Sequence, residues 1–246
     1  MENKFIIGNM KMYMNIDEVK DYLVKIDGMI TNNVILCPSS IYIPYFLNKN
    51  YNIAIQNVYY EDNGAYTGEV SVNQVKDMGI NYVIVGHSER RKYFHETDYD
   101  INKKIIKSLD NNLNVILCIG ENIKEDGFDF LINQLDICLK NVLKKYQDNI
   151  IIAYEPVFAI GTGITPSLED INNTVLNIKK YIFNNFNMNL KVVYGGSVND
   201  KNIRNLVNID NIDGFMIGGA CTNIDKFLEI IRVVNDYDKW DYFSTI

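Results

Sequence analysis

Apolar residues along the chain fall into eight short runs, continuous rather than alternating: 5–9, 34–37, 52–57, 82–86, 114–119, 150–154, 190–194 and 214–217. Runs of that length, apolar on both faces, read as strands of a buried parallel sheet. The segments between them carry a helical period instead. Residues 16–30 place Val19, Leu23, Ile26 and Ile30 on one side, and 128–146 do the same with Leu131, Leu135, Leu139 and Val142. Residues 98–109 and 167–186 also read as helix, the latter opened by Ser167 and Asp170 as a capping pair. A last helix spans 223–234 and leaves a tail to Ile246. Eight strand–helix units in 246 residues favour a closed eight-stranded parallel (β/α)8 barrel of the α/β class over an open doubly wound sheet. The whole of 1–246 then reads as one domain.

Such barrels do their chemistry at the carboxyl ends of the strands. Those ends carry Asn9 and Lys11, His87, Glu155, Ser197, and Gly218-Gly219. Glu155 closes a wholly apolar strand, and Pro156 after it biases the glutamate toward extended backbone. The segment that follows has Gly161-Thr162-Gly163 at its tip and Pro166 at its shoulder, a composition suited to a lid. His87 precedes Ser88-Glu89-Arg90-Arg91, which can begin a helix. The positive end of that helix disfavours an imidazolium and leaves a neutral hydrogen-bond donor. The other histidine, His95, reads as a loop or capping residue. Lys11, beside Asn9, is placed to anchor an anion. The Gly-Gly pairs at 195–196 and 218–219 sit where barrels of this kind bind phosphate through backbone N–H groups.

Composition narrows the partners. A net charge of −7 with no basic cluster argues against nucleic acid, and no apolar run reaches the ~18–20 residues that cross a bilayer. Cys37, Cys118, Cys138 and Cys221 are too scattered for a disulfide or zinc framework, and the first residues enter a strand without a cleavage region. The expectation is a cytoplasmic protein with reduced thiols.

Six segments, in order from the first strand to the last helix, carry a close resemblance to the triosephosphate isomerase family. They are Gly8-Asn9-Met10-Lys11-Met12; Gln56-Asn57 with 64–71; Val85-Gly86-His87-Ser88-Glu89-Arg90-Arg91; 154–163; Tyr194-Gly195-Gly196-Ser197-Val198; and 213–215 with Gly218-Gly219-Ala220. The resemblance implies a cofactor-free homodimer that interconverts dihydroxyacetone phosphate and glyceraldehyde 3-phosphate. It also implies roles, following the acid–base scheme known for triosephosphate isomerases themselves. Glu155 is then the general base, ionised at neutral pH given an ordinary carboxylate pKa near ~4.3. His87 is the neutral electrophile, Lys11 and Asn9 stabilise the enediolate and its phosphate, and Glu89 supports them. Gly161, Ser197, Gly218 and Gly219 match the phosphate-binding positions.

Residues 58–70 form a connection longer than ordinary barrel loops, with Tyr59, Tyr60 and Tyr66 beside Gly64 and Gly68. In the resembling family this loop enters the other subunit. Tyr66, Thr67 and Glu69 of one copy would then approach Asn9, Lys11 and Arg90 of the other, with Glu69 and Arg90 as a charge-assisted pair. Departures from the family pattern are Met10 and Phe158 for tryptophan, Ile164-Thr165-Pro166 at the trailing hinge, Lys191 for arginine, Cys221 for serine and a longer tail. Two other functions compete. A Schiff-base sugar-phosphate aldolase needs a lysine on an inner strand, where strand six ends in Glu155 instead. A non-catalytic barrel that only binds phosphometabolites has no use for Lys11, His87 and Glu155 together.

Overall fold

The structure is a computed structural model that describes residues 4–123, 126–157 and 166–244, with backbone alone for 238–244. Strands β1 (Phe5–Asn9), β2 (Val34–Cys37), β3 (Asn52–Ile55), β4 (Tyr82–Val85), β5 (Asn114–Ile119), β6 (Ile150–Tyr154), β7 (Lys191–Tyr194) and β8 (Gly214–Ile217) close into a parallel barrel in sequence order. The helices between them are α1 (Ile16–Ile26), α2 (Ile43–Phe46), α3 (Val72–Asp77), α4 (Ser88–Phe94), α5 (Asp98–Asp110), α6 (Gly127–Cys138), α7 (Leu168–Phe186), α8 (Ile203–Leu206) and α9 (Ile224–Ser244).

Alternate residues of a strand point to opposite faces, so each strand feeds two cores. Ile7, Ile35, Ala54, Ile84, Ile116, Ala153 and Val193 fill the barrel, while their neighbours pack against the helices. The same period carries Ile7 to Asn9 and Ala153 to Glu155, which sets both polar side chains on the inner side of the rim. At the seam Phe5 pairs with Gly214, where a Cβ would stand 2.2 Å from the Phe5 carbonyl oxygen. Asp213 fastens this end: its carboxylate accepts from the Val192 N–H at 2.7 Å and lies 2.6 Å from the Lys179 Nζ.

The helices differ from the sequence reading in three places. α1 stops at Ile26, because Asp27 is extended and Gly28 turns at φ +73; Ile30 is buried all the same. α6 stops at Cys138 rather than running to Tyr146. The Asn102 side chain, from α5, donates to the carbonyls of Cys138 and Lys140, and Asn141 takes φ +63. Leu139 and Val142 stay buried without the helix, so the apolar pattern reported burial and not its backbone. α9 continues to Ser244, since 235–244 hold neither glycine nor proline to end it. The Ser167 side chain does cap α7, accepting from the Asp170 N–H at 3.0 Å.

Candidate active site

The site starts from an awkward backbone. Lys11 has φ +51, a left-handed conformation that costs a non-glycine residue about 1–3 kcal/mol. Two side chains hold it there. Asn9 Oδ1 accepts from the Lys11 N–H at 3.1 Å, and Gln56 Nε2 donates to the carbonyls of Lys11 and Cys37, both at 2.9 Å. The Lys11 ammonium then lies 2.7 Å from Glu89 Oε1. Across the cleft, a Cβ on Gly218 would stand 3.4 Å from the Lys11 Cε, so glycine leaves the lysine room.

His87 caps α4. Its Nδ1 accepts from the Glu89 N–H at 3.3 Å, and its Nε2 lies 3.2 Å from Glu155 Oε1. Gly86 before it turns at φ +72, and the Arg91 Nε braces that turn by donating to the Gly86 carbonyl at 2.7 Å. Glu155 itself is only 2% exposed, and its Oε2 accepts from the Ser88 N–H at 3.4 Å. Gly120 and Gly195 pack so closely around it that a Cβ would stand 1.6 Å from its carbonyl oxygen and 3.0 Å from its Cγ, respectively.

The two ionisable groups pull on each other. Burial raises the Glu155 pKa, but His87, the Ser88 N–H and Lys11 together outweigh it and the net direction is down. Burial lowers that of His87, and Glu155 outweighs burial and Lys11, with Glu89 adding to the rise. Each direction presupposes the partner's charge, so the two cannot be taken independently. The Nδ1 contact decides the resting form. A proton on Nδ1 would set two N–H groups face to face, so the neutral tautomer with its proton on Nε2 is favoured. Removing the carboxylate charge in Glu155→Gln leaves burial and Lys11 dominant, and the His87 pKa falls. Histidine ring NMR against pH checks this, and an unchanged or higher pKa contradicts it.

Asn9, Lys11, His87, Glu155, Ser197, Gly218 and Gly219 all line one cleft of about 290 Å³. Glu89 meets it through Lys11. Gly161, and with it the lid tip, Phe158 and Ile164-Thr165, lies outside the described residues. A second cleft of about 710 Å³ shares Asn9, Lys11 and His87 and adds Glu69, Arg90 and Phe94. Tyr66 and Thr67 stand on the exposed loop and line neither. Arg90 Nε lies 3.5 Å from Glu96 of its own chain. Glu96 is also paired with the buried Lys104, whose Nζ is 2.8 Å from Asn57 Oδ1.

Sequence reasoning gave no role to several residues that build the site. Gln56 belongs to one of the resembling segments and leaves an apolar strand, but nothing in the pattern says that it clamps Lys11. Tyr13 lines both clefts and follows the Lys11 motif without belonging to it. Glu121 accepts from the Tyr154 hydroxyl at 3.3 Å and, through its backbone carbonyl, from the Val157 N–H at 2.9 Å. It therefore holds the chain where it leaves β6.

The family model described as triosephosphate isomerase matches residues 4–234. Among curated proteins, the triosephosphate isomerase of Mycoplasma capricolum subsp. capricolum is 39% identical over 247 residues, covering 94% of this chain and 99% of that protein. Those of Alkaliphilus metalliredigens and Thermodesulfovibrio yellowstonii are 37% and 38% identical, each covering 94% of this chain and all of the relative.

Proposed function

The chain belongs to the triosephosphate isomerase family, and from that premise we propose how its own residues carry out the isomerisation. The enzyme interconverts dihydroxyacetone phosphate and D-glyceraldehyde 3-phosphate. Glu155 takes a proton from the carbon next to the carbonyl and returns it to the neighbouring carbon. His87, neutral, donates from Nε2 to the substrate oxygen as negative charge develops, and passes protons between the two oxygens. Lys11 and Asn9 stabilise the enediolate from the opposite wall, and Glu89 holds the Lys11 ammonium in place. Ser197, Gly218 and Gly219, joined by Gly161, take the phosphate. No cofactor enters the scheme.

The observation that carries this reading is the convergence of Glu155, His87 and Lys11 on one narrow cleft with Ser197 and Gly218. A carboxyl with an ordinary pKa near ~4.3 that accepts from the Ser88 N–H is an ionised base at neutral pH, and a capped imidazole keeps the tautomer that donates. The test is a coupled assay on the purified chain without added cofactor. Conversion of dihydroxyacetone phosphate is expected. A borohydride-trapped lysine adduct would favour the aldolase, and phosphate binding without turnover the non-catalytic barrel.

The working form in this proposal is a two-fold homodimer in which 1–246 of each copy acts as one domain. Support comes from the surface around the larger cleft, where Met12 is 94% and Phe94 67% exposed, beside Tyr13 and Tyr93. An apolar patch of that kind marks a contact site. The loop 58–70 of the partner would fill the cleft, with the partner's Glu69 facing Arg90. Among the described residues no helix is long and apolar enough to cross a membrane, and the four cysteines are free and buried. Both fit work in the cytoplasm, with triose phosphates and a second copy as the partners.

A further inference from the structure

Residues 61–69 are exposed along their whole length, yet the loop has a defined shape. The Tyr66 N–H donates to the Gly64 carbonyl and the Glu69 N–H to the Tyr66 carbonyl, both at 3.0 Å. The Tyr66 ring folds back over Gly64, where a Cβ would stand 2.9 Å from it, and lies 4.8 Å from the Tyr59 ring between centroids. Tyr59 stacks on Tyr60 at 4.3 Å, and its N–H donates to the Val70 carbonyl at 2.8 Å to close the neck. A solvated loop of this length would ordinarily sample many shapes. Contacts from its own chain oppose that. Lys103 Nζ stands 4.7 Å from the Tyr60 ring centroid, and Lys107, one turn further along α5, lies 2.6 Å from Asp62 Oδ1. Asn73, in α3, donates to the same carboxylate oxygen at 3.0 Å.

We propose that α5 is a brace for docking: Lys103 and Lys107 set the loop 58–70 in its binding shape before a second copy of the chain arrives. The inference rests on the two-fold assembly proposed above and adds to it two positioning residues that line neither cleft. Ordering a loop at the moment of association weakens binding, and a loop ordered beforehand avoids that loss. The brace therefore acts on affinity and on association rate while leaving the chemistry alone. Lysines at i and i+4 on one helix face can reach two successive points of the loop, one through a ring and one through a carboxylate.

The test compares the full chain with Lys103→Ala/Lys107→Ala by sedimentation velocity over a dilution series. The control is Lys144→Ala/Lys145→Ala, which removes the same charge from the stretch before β6. An exposed ion pair and an exposed cation–π contact are each worth a few-fold, and a dimer holds two braced loops, so the dimer Kd should rise by about 10-fold or more. The control should shift it by less than about twofold, and the kcat of Lys103→Ala/Lys107→Ala should match wild type well above its Kd. Lys103→Gln/Lys107→Gln keeps the stems packed and should show the same loss should the alanine pair fold poorly. A Kd for the α5 variants within about twofold of the control overturns the brace while leaving the dimer standing. A wild-type chain that stays monomeric at every concentration overturns both.

Discussion

Glu155→Gln lowers kcat by at least ~10²-fold, the scale of general-base catalysis, and leaves the affinity for a phosphate-bearing inhibitor within about tenfold. The amide keeps the shape that Gly120 and Gly195 enclose, and its one oxygen can still accept from either His87 or the Ser88 N–H. What it lacks is a lone pair basic enough to take a proton from carbon. The affinity should hold because, in the proposed scheme, Lys11, Ser197, Gly218 and Gly219 would take the phosphate from other strands, and the contacts that hold Lys11 come from Asn9, Gln56 and Glu89. A drop in kcat with KM little changed thus separates the base from a binding residue. Near-normal turnover in this variant would remove Glu155 from the proton transfer. Comparable loss of inhibitor binding would instead make it part of the anion site.

The barrel was legible in the sequence because its signal is redundant. Eight apolar runs need only be recognised as runs, and errors of a residue or two at their ends do not change the topology; β3, for instance, stops at Ile55 while the pattern runs to Asn57. The rim residues were legible for a related reason. A polar side chain that ends a wholly apolar strand, as Asn9 and Glu155 do, has few places to go. What stayed hidden depends on side chains meeting across the chain. Asn102 ends α6 from another helix, and Gln56 holds Lys11 from a sequence distance that no local period can report. The Lys11 backbone gave no warning either, since left-handed turns are ordinarily read from glycine or asparagine. The Tyr59–Tyr60–Tyr66 stack was visible as composition but its attachment to Lys103 was not.

Replacing Tyr66 and Thr67 together with Asp separates the proposed dimer and carries most of the activity with it. The two positions are exposed in the single chain, so the barrel's cores do not depend on them, and secondary structure should be unchanged. In the dimer the loop tip would lie in the cleft shared by Lys11, His87 and Glu89. Aspartates there lose the aromatic contact and bring uncompensated charge toward Glu69 and Glu89. A buried charge without a partner costs about 3–5 kcal/mol, so even one such group in the whole dimer raises the dimer Kd by roughly 10²–10³-fold or more. Activity should follow, because the cleft that opens beside Asn9 and Lys11 would admit water where a partner had excluded it. The charge-assisted contact between Lys11 and Glu89 would weaken there as the local dielectric rises. Sedimentation and assay at the same concentrations decide the point. Monomers with kcat at least ~10²-fold down would tie the active site to the pair, the loss expected when positioned donors are loosened. A fully active monomer would show that the Gln56, Asn9 and Glu89 contacts within one chain suffice to hold Lys11.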